Sequence, residues 1–308
     1  GATNGTIILD SNTDVDALNL GNAGTVTIVL KGTDGSATGG VNNNTNFAVN
    51  LNSSVNKFNT VKFSTGNSTA VGPAGGVFNL TQNAAIDIGT RKLVITDNGG
   101  NGGARGNATL NMPSKFGELS FNAGTLLATS NGTLTVGNIT TNVNANTSTG
   151  DMTLVGSNIV LASARTVTVA GAANLQATGN ITMGGGANTV NFGSLRFIGT
   201  QVNIVEGSDT VILTGSQALG AAAIISGGNI TIDNSSGGVV TFGSTVGLQA
   251  TGTITLKNFQ ALNTVTVTAT GNKDLSALSL SGDLNNKTPV DLGPGSGPST
   301  NPAFAPKP

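Results

Sequence analysis

From about residue 130 to residue 280 the chain is written in short runs that alternate apolar and hydroxyl or amide residues. Thr166-Val167-Thr168-Val169, Thr189-Val190-Asn191-Phe192, Thr210-Val211-Ile212-Leu213, Val239-Val240-Thr241-Phe242 and Thr264-Val265-Thr266-Val267 are typical. A period of two places the apolar side chains on one face of a strand and the hydroxyls on the other. The runs are short, recur at close intervals, and are separated by Gly, Asn or Ser. No stretch of useful length carries a helical period.

One phrase recurs. Leu175-Gln176-Ala177-Thr178-Gly179-Asn180-Ile181-Thr182-Met183 returns as Leu248-Gln249-Ala250-Thr251-Gly252-Thr253-Ile254-Thr255-Leu256. Its core appears a third time between them, as Gly228-Asn229-Ile230-Thr231-Ile232. The three positions share a unit of roughly 24 residues, which is a solenoid coil length. Such a coil has an apolar face that it buries only by stacking on its neighbours. An antiparallel sandwich also yields short strands, but it does not explain the repeat. The expected fold is therefore all-β: a parallel β-solenoid with two or three strands per coil and six or seven coils in this region. One inward ladder is expected through Ile181 and Met183, Ile204, Ile230 and Ile232, Ile254 and Leu256, then Leu278 and Leu280. Thr182, Thr231 and Thr255 should point outward.

The N-terminal region, 1–125, is β-rich but less regular, with candidate strands at Thr6–Leu9, Thr25–Leu30, Phe47–Leu51, Phe58–Phe63, Val77–Leu80 and Lys92–Thr96. It reads as a cap plus degenerate coils, with a separate β-sandwich as the alternative. Six of the eight prolines fall between Pro289 and Pro308, and proline cannot donate to a sheet ladder. The expected organisation is a β-rich N-terminal region over 1–125, a regular solenoid over 126–284 and a Pro/Gly-rich tail over 285–308. Phe304, flanked by Pro302 and Pro306, is the large apolar residue of that tail and its natural anchor, on its own body or on a neighbouring subunit.

Composition narrows the classes. Charged residues make up only 9% of the 308, and the chain has no Cys, His, Trp or Tyr. Apolar residues at 37% suffice for a core. The net charge of -1 gives neither long-range steering nor self-repulsion, which favours association. The 13 Lys and Arg form no stripe, so a nucleic-acid partner is not expected. No apolar run reaches the length of a membrane span. Without Cys there is neither a disulfide nor a thiolate metal site, a composition that suits export and folding outside the cell. The start, Gly1-Ala2-Thr3-Asn4-Gly5, is not a signal peptide and reads as a mature chain whose leader was removed.

Catalytic candidates are few. Without His there is no Ser-His or Cys-His pair. The acids mostly flank turns, and Glu206 and Asp209 lie close together between two expected strands, where they read as a solvated turn. A paired-carboxylate glycosidase is the competing reading. Asp10, Asn12, Asp14 and Asp16 repeat the spacing of an EF-hand opening, although Val15 stands where that loop needs Gly. The run is a calcium candidate or a polar turn, and no other cofactor is expected. Asp97 to Gly106 is the richest glycine stretch and reads as a surface loop, and Gly184-Gly185-Gly186 reads as a turn. Sequons are abundant, Asn131 and Asn138 among them. Asn180 and Asn229, within the recurring phrase, are the glycosylation candidates, and Asn there also suits a left-handed turn before a strand.

The Gly-Asn-Ile-Thr and Leu-Gln-Ala-Thr phrases over about 130–280 resemble bacterial secreted β-solenoids: filamentous-haemagglutinin-type exoproteins and autotransporter passenger domains, including rickettsial surface antigens. That resemblance implies a right-handed parallel β-helix at the cell surface, acting in adhesion or as a coat. The chain departs from those families in lacking the Asn-Pro-Asn-Gly/Leu motif and an outer-membrane barrel, so no functional residue carries over. The expected function is a non-enzymatic extracellular structural or adhesive protein that self-assembles through coil ends or the tail. The alternatives are a tethered adhesin or spacer, binding host or cell-surface ligands, and a β-helix polysaccharide-degrading enzyme.

Overall fold

The computed structural model describes residues 5–9, 14–15, 25–30, 45–49, 60–65, 78–82, 85–97, 107–144, 148–233, 238–257, 259–261, 265–270 and 273–274. Every regular element among them is a strand. The fold is all-β, with parallel strands stacked coil on coil as a β-solenoid. No helix of the described residues is long and apolar enough to cross a membrane. The chain divides into two compact units, Gly1–Asn174 and Leu175–Pro308.

In the first unit two parallel ladders run through successive coils. One joins Gly5–Leu9, Thr25–Leu30, Thr60–Thr65, Lys92–Asp97, Glu118–Ala123 and Thr133–Thr141. The other joins Thr45–Val49, Phe78–Gln82, Ala108–Ser114, Leu126–Ser130 and Met152–Gly156. Residues in register stack inward: Leu93 on Leu119 and Val136, Ile95 on Phe121 and Ile139, and Leu110 on Ala128 and Leu154, all buried. Each buried aliphatic side chain stabilises the stack by roughly 1.5–3 kcal/mol. One short antiparallel pair, Val143–Asn144 with Ser148–Thr149, departs from the parallel rule.

In the second unit each coil has three sides. The coil Ala222–Ser226, Ile230–Asp233, Val240–Phe242 lies under Val246–Ala250, Ile254–Lys257, Phe259–Ala261. The first side stacks Met183, Ile204, Ile224, Leu248 and Val267, and the second stacks Ile212, Ile232 and Leu256. All of these side chains are buried. Phe197 and Phe242 meet inside the third side, ring centroids 6.2 Å apart.

The inward ladder expected from the sequence is in fact two. Ile181 heads a column through Val202, Ala222 and Val246, whereas Ile230 and Ile254 belong to the next side of the coil. The step from Ile230 to Ile254 is a true coil step. The offset between the two full copies of the phrase is not a whole number of coils. Coil length varies: Val246 pairs with Val265 above it, a shorter step than that from Ala222 to Val246. The phrase encodes a strand, a corner and a second strand. Every corner sets the same geometric problem, so the same residues recur on different sides. Thr231 and Thr255 do stack outside, while Thr182 stacks with Asn203. Leu278 and Leu280 lie outside the described residues.

Candidate functional site

The most chemically loaded place among the described residues is the corner of the second unit between Val202–Glu206 and Thr210–Ile212. Alternation along Val202-Asn203-Ile204-Val205-Glu206 carries Glu206 inward, where the next coils place Ser226 and Ala250. On its other flank the neighbouring coil turns away just after Met183, through Gly184-Gly185-Gly186 with φ of 91°, 83° and 61°. Glycine is required at 184, since a Cβ there would lie 2.1 Å from the Val205 carbonyl oxygen.

Glu206 is therefore not the solvated turn residue expected from the sequence: it is 2% exposed. Its Oε1 accepts the Phe192 backbone N–H at 2.8 Å. Its Oε2 and the Oγ1 of Thr210, itself 1% exposed, are both buried without a hydrogen-bond partner. Burial raises the carboxyl from 4.5 to about 7, against the opposing pull of the nearby Thr210 hydroxyl and the Phe192 amide. Ser226 completes the interior of the corner, donating to the Ser208 carbonyl at 2.6 Å.

Asp209 behaves as expected and is exposed. Its Oδ1 accepts the Asn229 backbone N–H at 2.8 Å and the Asn229 side-chain amide at 3.2 Å. Asn229 Oδ1 in turn accepts the Thr253 N–H at 2.7 Å. The two acids lie on opposite sides of the coil wall, so they do not face each other across a cleft as paired glycosidase carboxylates do.

The same device recurs in the first unit. Asn107 Oδ1 accepts the Thr125 N–H at 2.8 Å, Asn138 Oδ1 that of Thr166 at 2.9 Å, and Asp151 Oδ1 that of Ala172 at 2.7 Å. At corners the main-chain ladder is interrupted, and an Asn or Asp from one coil satisfies the N–H of the next. Asn tolerance of the left-handed region is not the reason for Asn180 and Asn229: Ala164 is the one described non-glycine residue with positive φ. Asn180 is exposed at the corner before Ile181–Met183. Sequence reasoning missed this role of Asn229, although the spacing from Asp209 to Asn229 to Thr253 was there to find.

A surface cluster ties three further coil segments together. Glu118 accepts from Arg165 through Nε to Oε1 and Nη2 to Oε2, both at 3.2 Å, and from Lys92 Nζ at 3.3 Å. Burial pushes its carboxyl up, but hydrogen bonds and charge from Arg165 and Lys92 outweigh that and hold it below the ordinary value. Gly137 leaves room for it, because a Cβ there would lie 2.7 Å from Glu118 Oε1.

Of the calcium candidates, Asp14 contributes backbone to the strand Asp14–Val15. Asp10, Asn12 and Asp16 lie outside the described residues, as do Pro302, Phe304, Pro306 and the glycines after Asp97. Among the described residues no group of three His, Cys, Asp or Glu converges as a metal site. No protein-family model matches the chain, and no curated protein or solved structure matches it significantly.

Proposed function

We propose that this chain is a non-enzymatic structural protein of the cell exterior that assembles with copies of itself into a filament or coat. One observation carries the reading: among the described residues, several acidic side chains that in an enzyme could face a substrate are engaged within the frame. Glu118 binds Lys92 and Arg165, Asp151 and Asp209 accept backbone N–H groups of the following coil, and Glu206 is buried inside. Such a frame presents a surface of hydroxyls, amides and few charges, which resists association weakly. The absence of Cys and the resemblance to secreted solenoids favour an extracellular or bacterial-surface setting.

Assembly would run through coil ends, where a strand edge can template further pairing, or through Phe304 with Pro302 and Pro306. The test compares the full chain with a truncation ending at Leu292, by light scattering and electron microscopy. Filaments or sheets formed by the full chain and lost on truncation support assembly through the tail. Assemblies formed by both chains support coil ends. Monomers in both overturn the reading and favour a tethered adhesin or spacer.

A further inference from the structure

We propose that Glu206 is a proton-operated latch on the 206–210 corner of the second unit, closed when the carboxyl is protonated and loosened when it ionises. The inference goes beyond assembly and does not depend on it. It rests first on placement: an ionisable side chain ends a strand pointing into an otherwise uncharged column, in contact with the Phe192 N–H and beside the buried Thr210 hydroxyl.

Two orphaned atoms, Glu206 Oε2 and Thr210 Oγ1, lie buried at this corner. The Thr210 hydroxyl can donate to an ionised Oε2 or accept from a protonated one, while Oε1 keeps the Phe192 N–H, so this pair can be satisfied in either state. What the proton alone does is remove the charge from inside the coil.

Among the described residues, the strands packed against Glu206 bring no cation to the ionised form. Ile181–Met183, Thr210–Ile212 and Ala222–Ser226 carry no charged residue. On Thr189–Gly199 the charged residue is Arg196, whose Nε is directed to the Gly215 carbonyl at an exposed position. Asp209 lies on the outer surface and is itself acidic. A buried carboxylate without a counter-charge is costly, in keeping with a pKa of about 7 in place of 4.5.

The sign follows from proton binding. Because the folded pKa exceeds the unfolded one, the native state holds the extra proton between them. Stability from this group is therefore highest in acid, falls as pH rises from 4.5 to about 7, and stays reduced above that. The expected loss is on the order of a hundredfold in the folding equilibrium.

The test is amide hydrogen exchange of the full chain, reading Phe192 against Ile204 and corrected for intrinsic rates, from about pH 5 to about pH 8, an interval spanning the titration. The latch predicts that protection of Phe192 falls on the order of tenfold or more relative to Ile204 as pH rises. A constant ratio overturns it. Glu206→Gln supplies the second arm, since its amide accepts from Phe192 and donates to Thr210 without titrating. The variant should flatten the pH profile of thermal unfolding, and a profile unchanged from the parent contradicts the latch.

Discussion

Asn229 joins three coils with one side chain, accepting from Thr253 and donating to Asp209. Asn229→Ala removes both bonds at an exposed corner and should cost about 1–2 kcal/mol in urea unfolding. Asn229→Asp keeps the acceptor for Thr253 but sets a second carboxylate against Asp209. It should be the worse of the two variants in the same urea unfolding at neutral pH, since it adds like charge and loses the donor. The same amide is the glycosylation candidate, and a sugar on its nitrogen would leave it one N–H for Asp209. Glu118 carries the opposite pH sign to Glu206. Its folded pKa is lowered, so the stability it contributes is present above 4.5 and lost as pH falls through the folded value. Glu118→Gln should abolish that acid-sensitive part of the first unit's stability, read by circular dichroism across an acid titration.

At the scale of strands and corners, glycine separates positions that need it from positions that do not. Gly184 combines φ of 91° with a close approach to Val205, so Gly184→Ala should cost about 2–4 kcal/mol in thermal unfolding. Gly247 lies in a strand with open space where its Cβ would be, in register with Ala223 and Thr266. Gly247→Thr should change stability by less than about 1 kcal/mol in the same thermal melt, and toward gain. Strand alternation made the inward positions legible: Met183, Ile204, Ile232 and Leu256 are all buried as their spacing implies. What the sequence concealed was which side of the coil each occupies. Coils of unequal length differ in their corners, and corner length is not written in the apolar pattern. The place of Glu206 is hidden in the sequence for a related reason. A period of two makes it inward, but its charge argued for solvent, and only the structure brings the Phe192 N–H within reach of the carboxyl.

For the whole molecule, stacking is both how the chain folds and, on the proposed reading, how it acts. Within each unit, apolar columns supply the driving force, and Asn, Asp and Thr at the corners fix the register of one coil on the next. A chain of net charge -1 lacks the repulsion that would stop such stacking at its own ends. The most direct measurement is fibre diffraction from concentrated, oriented full-length protein, with light scattering on the same sample. Stacking through coil ends predicts ordered assemblies with a reflection at about 4.8 Å, the spacing of paired strands, lying along the long axis. A chain that remains monomeric at every concentration and yields no oriented assembly would contradict it.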